Sequence, residues 1–188
     1  MEKRPIGLDQ ILLFGDSITQ YSFDPFANGF GAFLSHSYVR KCDVVNRGFS
    51  GYNTKWAKPL LPAVLDTTLP CASESNHPRT LLATVFLGAN DACIPETHRQ
   101  YVSLEEYAQN LKWMIDLLKS KDIQVLLITP PPVDPARWEA HCLEKGRALD
   151  RTVENTKKYR NACIHVAAEN NVPYLDTWEL FLGPNLEW

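Results

Sequence analysis

Five short apolar runs punctuate the chain, at 10–14, 43–46, 80–87, 124–129 and 173–176, and most end at Gly, Pro or Asn. Runs of this length, without polar alternation and closed by turn residues, are the pattern of strands buried on both faces of a parallel sheet. The segments between them have helical spacing. The clearest places Leu104, Tyr107, Leu111, Met114, Ile115 and Leu118 on one face, and Ser103 with Glu106 three residues later supplies a capping box at its start. A second long helix is predicted over 152–169, with Val153, Tyr159, Cys163, Val166 and Ala167 inward and Asn170-Asn171 marking its end. Strands alternating with helices predict an α/β domain with a five-stranded parallel sheet and right-handed crossovers. In such sheets, function collects at the carboxyl ends of the strands.

Three of those ends carry polar equipment. Gly15-Asp16-Ser17-Ile18-Thr19 follows the first run directly, so Ser17 occupies the turn where a nucleophile would stand and where a helix cap would stand equally well. Asn46-Arg47-Gly48-Phe49-Ser50-Gly51 follows the second, and Gly48 has no side chain to block approach to its backbone N–H. Gly88-Ala89-Asn90-Asp91 follows the third. Asn90 is either a turn former or an amide donor to a developing oxyanion. A hydroxyl, an open N–H and an amide donor on neighbouring strand ends suit acyl transfer.

These blocks resemble those of the SGNH or GDSL hydrolases, and within that family the isoamyl acetate-hydrolysing esterases. The likeness rests on Leu13-Phe14-Gly15-Asp16-Ser17-Ile18-Thr19, on Asn46 to Ala57, and on Phe86-Leu87-Gly88-Ala89-Asn90-Asp91, standing in the family's order. Glu105-Glu106-Tyr107-Ala108-Gln109-Asn110 and Ile128-Thr129-Pro130 extend it over nearly the whole chain. The resemblance implies a flavodoxin-like three-layer α/β/α fold and a serine esterase of small acyl esters. It implies that Ser17 attacks the ester carbonyl, that the Ser17 N–H, the Gly48 N–H and the Asn90 side chain hold the oxyanion, and that Asp16 braces the nucleophile turn. No cofactor or metal is implied, and the partner is a small ester.

One part of the family pattern is absent. A serine hydroxyl needs a base, which the family takes from a late Asp-x-x-His block. None of the five histidines has an aspartate three residues before it. His98, in the loop after the third strand, is the best internal substitute, against the plainer reading of a solvated loop histidine. The expectation is an impaired esterase, shortened at its carboxyl end and lacking the family's last helix. Apolar sheet surface left bare by that helix would favour self-association. The rival expectation is an inactive relative that binds small esters or a protein partner.

Composition removes other function classes. A net charge of −3 with scattered Lys and Arg leaves no basic stripe for nucleic acid. Neither a Walker A loop nor Gly-x-Gly-x-x-Gly follows the first strand, which argues against a nucleotide-binding module. The apolar stretch 11–14 is too short for a membrane span or signal-peptide core, so a cytoplasmic protein is expected. Cys42, Cys71, Cys93, Cys142 and Cys163 are odd in number and widely spaced, which reads as reduced structural thiols and not as a zinc site. The five tryptophans read as core, the Glu105-Glu106 pair as support for a helix start, and Asp134 as a turn former or a residue of the pocket mouth.

Overall fold

A computed structural model describes residues 7–68, 78–94 and 98–185. The five apolar runs become strands β1 (Gln10–Gly15), β2 (Asp43–Gly48), β3 (Thr80–Phe86), β4 (Gln124–Ile128) and β5 (Tyr174–Leu175). They form one sheet in the order β2-β1-β3-β4-β5, every pair parallel. The helices are α1 (Ser17–Gln20), α2 (Phe30–Ser37), α3 (Thr54–Ala57), α4 (Leu60–Thr68), α5 (Leu104–Ser120), α6 (Pro135–Glu144), α7 (Val153–Glu169) and α8 (Thr177–Leu182).

Strand alternation divides the core into two faces. Leu12 and Phe14 of β1, Ala83 and Val85 of β3, and Val125 and Leu127 of β4 join one cluster with Leu111, Met114, Ile115 and Leu118 of α5 and Cys163 and Val166 of α7. Ile11, Leu13, Phe86 and Ile128 are buried outside that cluster, and Phe30 of α2 packs its ring 6.4 Å from that of Phe86. Helices therefore flank the sheet on both sides.

The sequence-predicted helix 104–118 is α5. Its Ser103 cap accepts the N–H of Glu106 at 3.2 Å, while the Glu106 carboxylate lies 3.6 Å from Lys55 Nζ. Leu104 departs from the expectation: at the first helical position it is 40% exposed, and the buried face begins at Tyr107 and includes the polar Asn110. In α7, the Arg160 side chain is held against Asp176 at the end of β5, with Nε 2.9 Å from Oδ1. Burial is the largest single influence on Asp176 and works against its charge, but the bonds and charge of Arg160, the Trp178 N–H and the Thr129 hydroxyl together outweigh it and hold the carboxyl below its usual range. Near this pair, Tyr174, Leu175, Leu180 and Phe181 are all exposed.

The order of the strands locates the site. From β1 the chain moves to one side for β2 and to the other for β3, so the carboxyl ends of β1 and β3 flank the point where a crevice opens.

Candidate active site

Ser17 and Asn90 line one cavity of about 350 Å³ at that crevice. Ser17 and Ile18 come from the turn after β1, and Ala89 and Asn90 from the turn after β3. Pro131, Pro132 and Val133 after β4 form an apolar wall, and Asp134, Arg137 and Trp138 of the α6 start close the mouth. Arg151 and Thr156, at the entry of α7, complete the lining.

The cap of α1 is Asp16, not Ser17. Its carboxylate accepts the Ile18 N–H at 2.9 Å, and Ser17, the first helical residue, is left facing the cavity. Asp16 is fully buried, and that burial pushes its carboxyl up to about 7 against the Ile18 N–H and the charge of Arg151. Asp91, beside Asn90, is also buried. It accepts the Thr54 N–H at 2.9 Å and the Thr54 hydroxyl, yet burial again dominates and raises it to about 7.

Asn90 is held by both ends of its amide. One N–H donates to the Tyr52 carbonyl at 2.8 Å, and the carbonyl oxygen accepts from Arg151 Nη2 at 2.8 Å. The amide has two N–H groups, so one remains for a ligand.

Gly48 stands apart from Ser17 and Asn90. Its N–H donates to Asn46 Oδ1 at 2.9 Å, and Gly48 is not among the residues lining the cavity. Its lack of a side chain has a different use: an added Cβ would stand 2.0 Å from the backbone N of Gln20. At Gly48 the backbones of β2 and of the end of α1 approach each other closely. Asn46 fastens the same contact, donating to the Thr19 carbonyl at 2.9 Å and the Gln20 carbonyl at 3.1 Å.

His98 does not reach the cavity lining. Its Nδ1 accepts from the Gln100 N–H at 3.2 Å, and its Nε2 lies 3.8 Å from Asp150 Oδ2. His36 lines a separate hollow beside Phe33, His141 packs on the Trp138 ring, and His165 pairs with Glu169 at 3.2 Å. His77 and Cys71 lie outside the described residues.

Among the described residues, Cys93, His98 and Asp150 bring ligand atoms within 4.8 Å of one another. Their chemistry is poorly matched to a metal. An Nδ1 that accepts leaves the proton on Nε2, the atom turned toward Asp150, while Asp150 Oδ1 is taken by Trp138 Nε1 and Arg151. Burial pushes the Cys93 thiol up to about 11, away from the thiolate a metal binds.

The model of the GDSL-like Lipase/Acylhydrolase family matches residues 13–188. The chain belongs to that family. An isoamyl acetate-hydrolyzing esterase 1 homolog of Rattus norvegicus is 43% identical over 183 residues, covering 95% of this chain and 70% of the relative. The Homo sapiens homolog is 45% identical, over 91% of this chain and 67% of its own. The isoamyl acetate-hydrolyzing esterase of Saccharomyces cerevisiae is 36% identical, over 96% and 79%. In fold, the chain matches the lipase/acylhydrolase from Enterococcus faecalis with a TM-score of 0.68 at 23% identity, covering 95% of this chain and 82% of that one. An acetyl xylan esterase matches with a TM-score of 0.69 at 17% identity, covering 95% and 85%. The five-stranded parallel sheet is thus the sheet of GDSL hydrolase structures.

Arg151 carries no signal in the sequence, while Trp138, expected in the core, and Asn46, the head of the second block, contribute to the site in ways the sequence does not suggest. Arg151 and Trp138 come from the stretch after β4, where no motif flags them. Asn46 heads the second block, but its clamp spans 26 and 27 residues, beyond the reach of local pattern.

Proposed function

We propose that this GDSL-family hydrolase cleaves small acyl esters such as acetates through an acyl-Ser17 intermediate. The observation that carries the reading is the shared cavity of Ser17 and Asn90. Ser17 Oγ attacks the carbonyl carbon, and the displaced electron pair gathers on the carbonyl oxygen. The Ser17 N–H and the second Asn90 N–H stabilise that oxyanion; Gly48 is left out because Asn46 occupies its N–H. Collapse of the tetrahedral species expels the alcohol, which leaves with a proton equivalent to the one the Ser17 hydroxyl gave up, carried by solvent. Water then attacks the acyl-Ser17 carbonyl, passes one proton through solvent to Ser17 Oγ as it departs, and frees the acid. A cavity of about 350 Å³ walled by Pro131, Pro132 and Val133 suits a short apolar ester better than a long acyl chain. The named activity of the yeast relative, on isoamyl acetate, supports the same substrate class.

None of the described histidines lines the cavity. Without a histidine at the cavity, oxyanion stabilisation and binding alone would retain roughly 10³–10⁴-fold acceleration over water. The exposed side chains of Tyr174, Leu175, Leu180 and Phe181 would suit a second reading, a non-catalytic binding protein. Incubation with p-nitrophenyl acetate followed by peptide mass spectrometry separates the two. An acetyl group on the Ser17 peptide, absent from Ser17→Ala, is expected; an unmodified Ser17 after prolonged incubation selects the binding protein.

A further inference from the structure

A donor's presence at a cavity is not sufficient, because a primary amide presents an acceptor or a donor depending on a half-turn of its terminal bond. At Asn90 the Tyr52 carbonyl fixes the nitrogen and Arg151 Nη2 fixes the oxygen, each at 2.8 Å. Arg151 does more than supply one bond. Its Nε donates to the Ala89 carbonyl at 2.9 Å, its Nη1 to Asp150 Oδ1 at 3.1 Å, and its guanidinium carbon lies 4.5 Å from the centroid of the Trp138 ring. Asp150 is itself tied by Trp138 Nε1 at 3.0 Å. Three donors in three directions, with a ring on the flat face, require the planar fork of arginine and not the point charge of lysine.

We infer that Arg151 is a positioning residue: it locks the Asn90 amide with its oxygen turned into the guanidinium and an N–H left for the oxyanion, and it fixes the Gly88–Asp91 turn through the Ala89 carbonyl. The inference rests on the reading of Asn90 as an oxyanion donor. The guanidinium also draws electron density from the Asn90 carbonyl, which makes the remaining N–H a stronger donor.

Two measurements test it. The first is Ser17-dependent release of p-nitrophenolate from p-nitrophenyl acetate by the unmodified chain, Arg151→Met, Arg151→Lys, Asn90→Ala and the Asn90→Ala/Arg151→Met pair, with Ser17→Ala subtracted. The second is the side-chain amide proton–nitrogen spectrum, in which the Asn90 signals are assigned by their loss in Asn90→Ala. Both Arg151 variants are expected to lower kcat about ten- to hundred-fold with KM nearly unchanged, less than the ~10²–10³-fold of deleting a donor outright. The pair is expected to be no slower than Asn90→Ala alone, and both Arg151 variants are expected to move or broaden the Asn90 amide signals. Unchanged kcat and unchanged Asn90 signals, or losses that multiply in the pair, overturn the inference. Asn90→Ala without effect defeats the oxyanion reading instead, and the spectrum then still decides whether Arg151 holds the amide. Arg151→Lys keeps the charge and the aliphatic stem, so it serves if Arg151→Met fails to fold.

Discussion

Gly48→Ala isolates what this glycine does. The added Cβ would lie 2.0 Å from Gln20 N, 2.5 Å from Gln20 Cα and 2.6 Å from the Thr19 carbonyl carbon, where ordinary contact begins at 3.4 Å. The atoms met are backbone, so no rotamer relieves the overlap. The α1 turn must retreat from β2, which stretches the Asn46 bonds to the Thr19 and Gln20 carbonyls. Overpacking typically costs about 1–3 kcal/mol, and a weakened hydrogen bond adds up to about 1 kcal/mol. A loss of about 3 kcal/mol is therefore expected, or a fall of about 6–12 °C in Tm for a chain of this size. Gly51→Ala is the control. At φ +81 it is strained, but its nearest neighbour is Gln100 Nε2 at 3.6 Å, so only the backbone penalty of about 1–2 kcal/mol applies. Urea unfolding of both variants beside the parent decides the matter. If Gly48→Ala unfolds within about 0.5 kcal/mol of the parent, a difference typical of surface changes, or costs no more than Gly51→Ala, the close-approach argument is refuted.

Asp16 and Asp91 have folded values near 7 against an ordinary 3.8, so the folded chain keeps protons that the unfolded chain releases between those values. Their contribution is full below about pH 4 and is lost as pH rises to 7, at up to about 1.4 kcal/mol per pH unit for each group. Urea midpoints should fall from pH 5 to pH 7 and fall less in Asp91→Asn; identical slopes in the two proteins would contradict the assignment. The exposed Leu175, Leu180 and Phe181 predict concentration-dependent association. Sedimentation should show this association relieved by a Leu180→Glu/Phe181→Lys double variant, whereas an unmodified chain that stays monomeric at high concentration would count against it.

Much of the fold was legible because its signals are local. The five apolar runs and their closing residues fall within a residue or two of the strands, and Ser103 caps α5 as its side chain requires. Ser17 and Asn90 were legible because each sits immediately after a strand, and strand order alone carries both to the switch point. The bond from the Gly48 N–H to the side chain of Asn46, two residues away, is a turn geometry that motif spacing does not reveal. Arg151 was missed because its partner Asn90 lies 61 residues earlier, and the loop that holds it has neither period nor motif. Trp138 was read as core, since aromatic burial is the commoner fate, but the Asp134 cap starts α6 at the cavity mouth and places that ring there.

The most direct test of the central claim is a crystal structure of the chain after reaction with diethyl p-nitrophenyl phosphate. A phosphorus–oxygen bond to Ser17 Oγ is predicted, with the phosphoryl oxygen accepting from Ser17 N and Asn90 Nδ2 at about 2.7–3.1 Å. Phosphorylation at another residue, or a phosphoryl oxygen turned away from the Asn90 amide, would contradict the account.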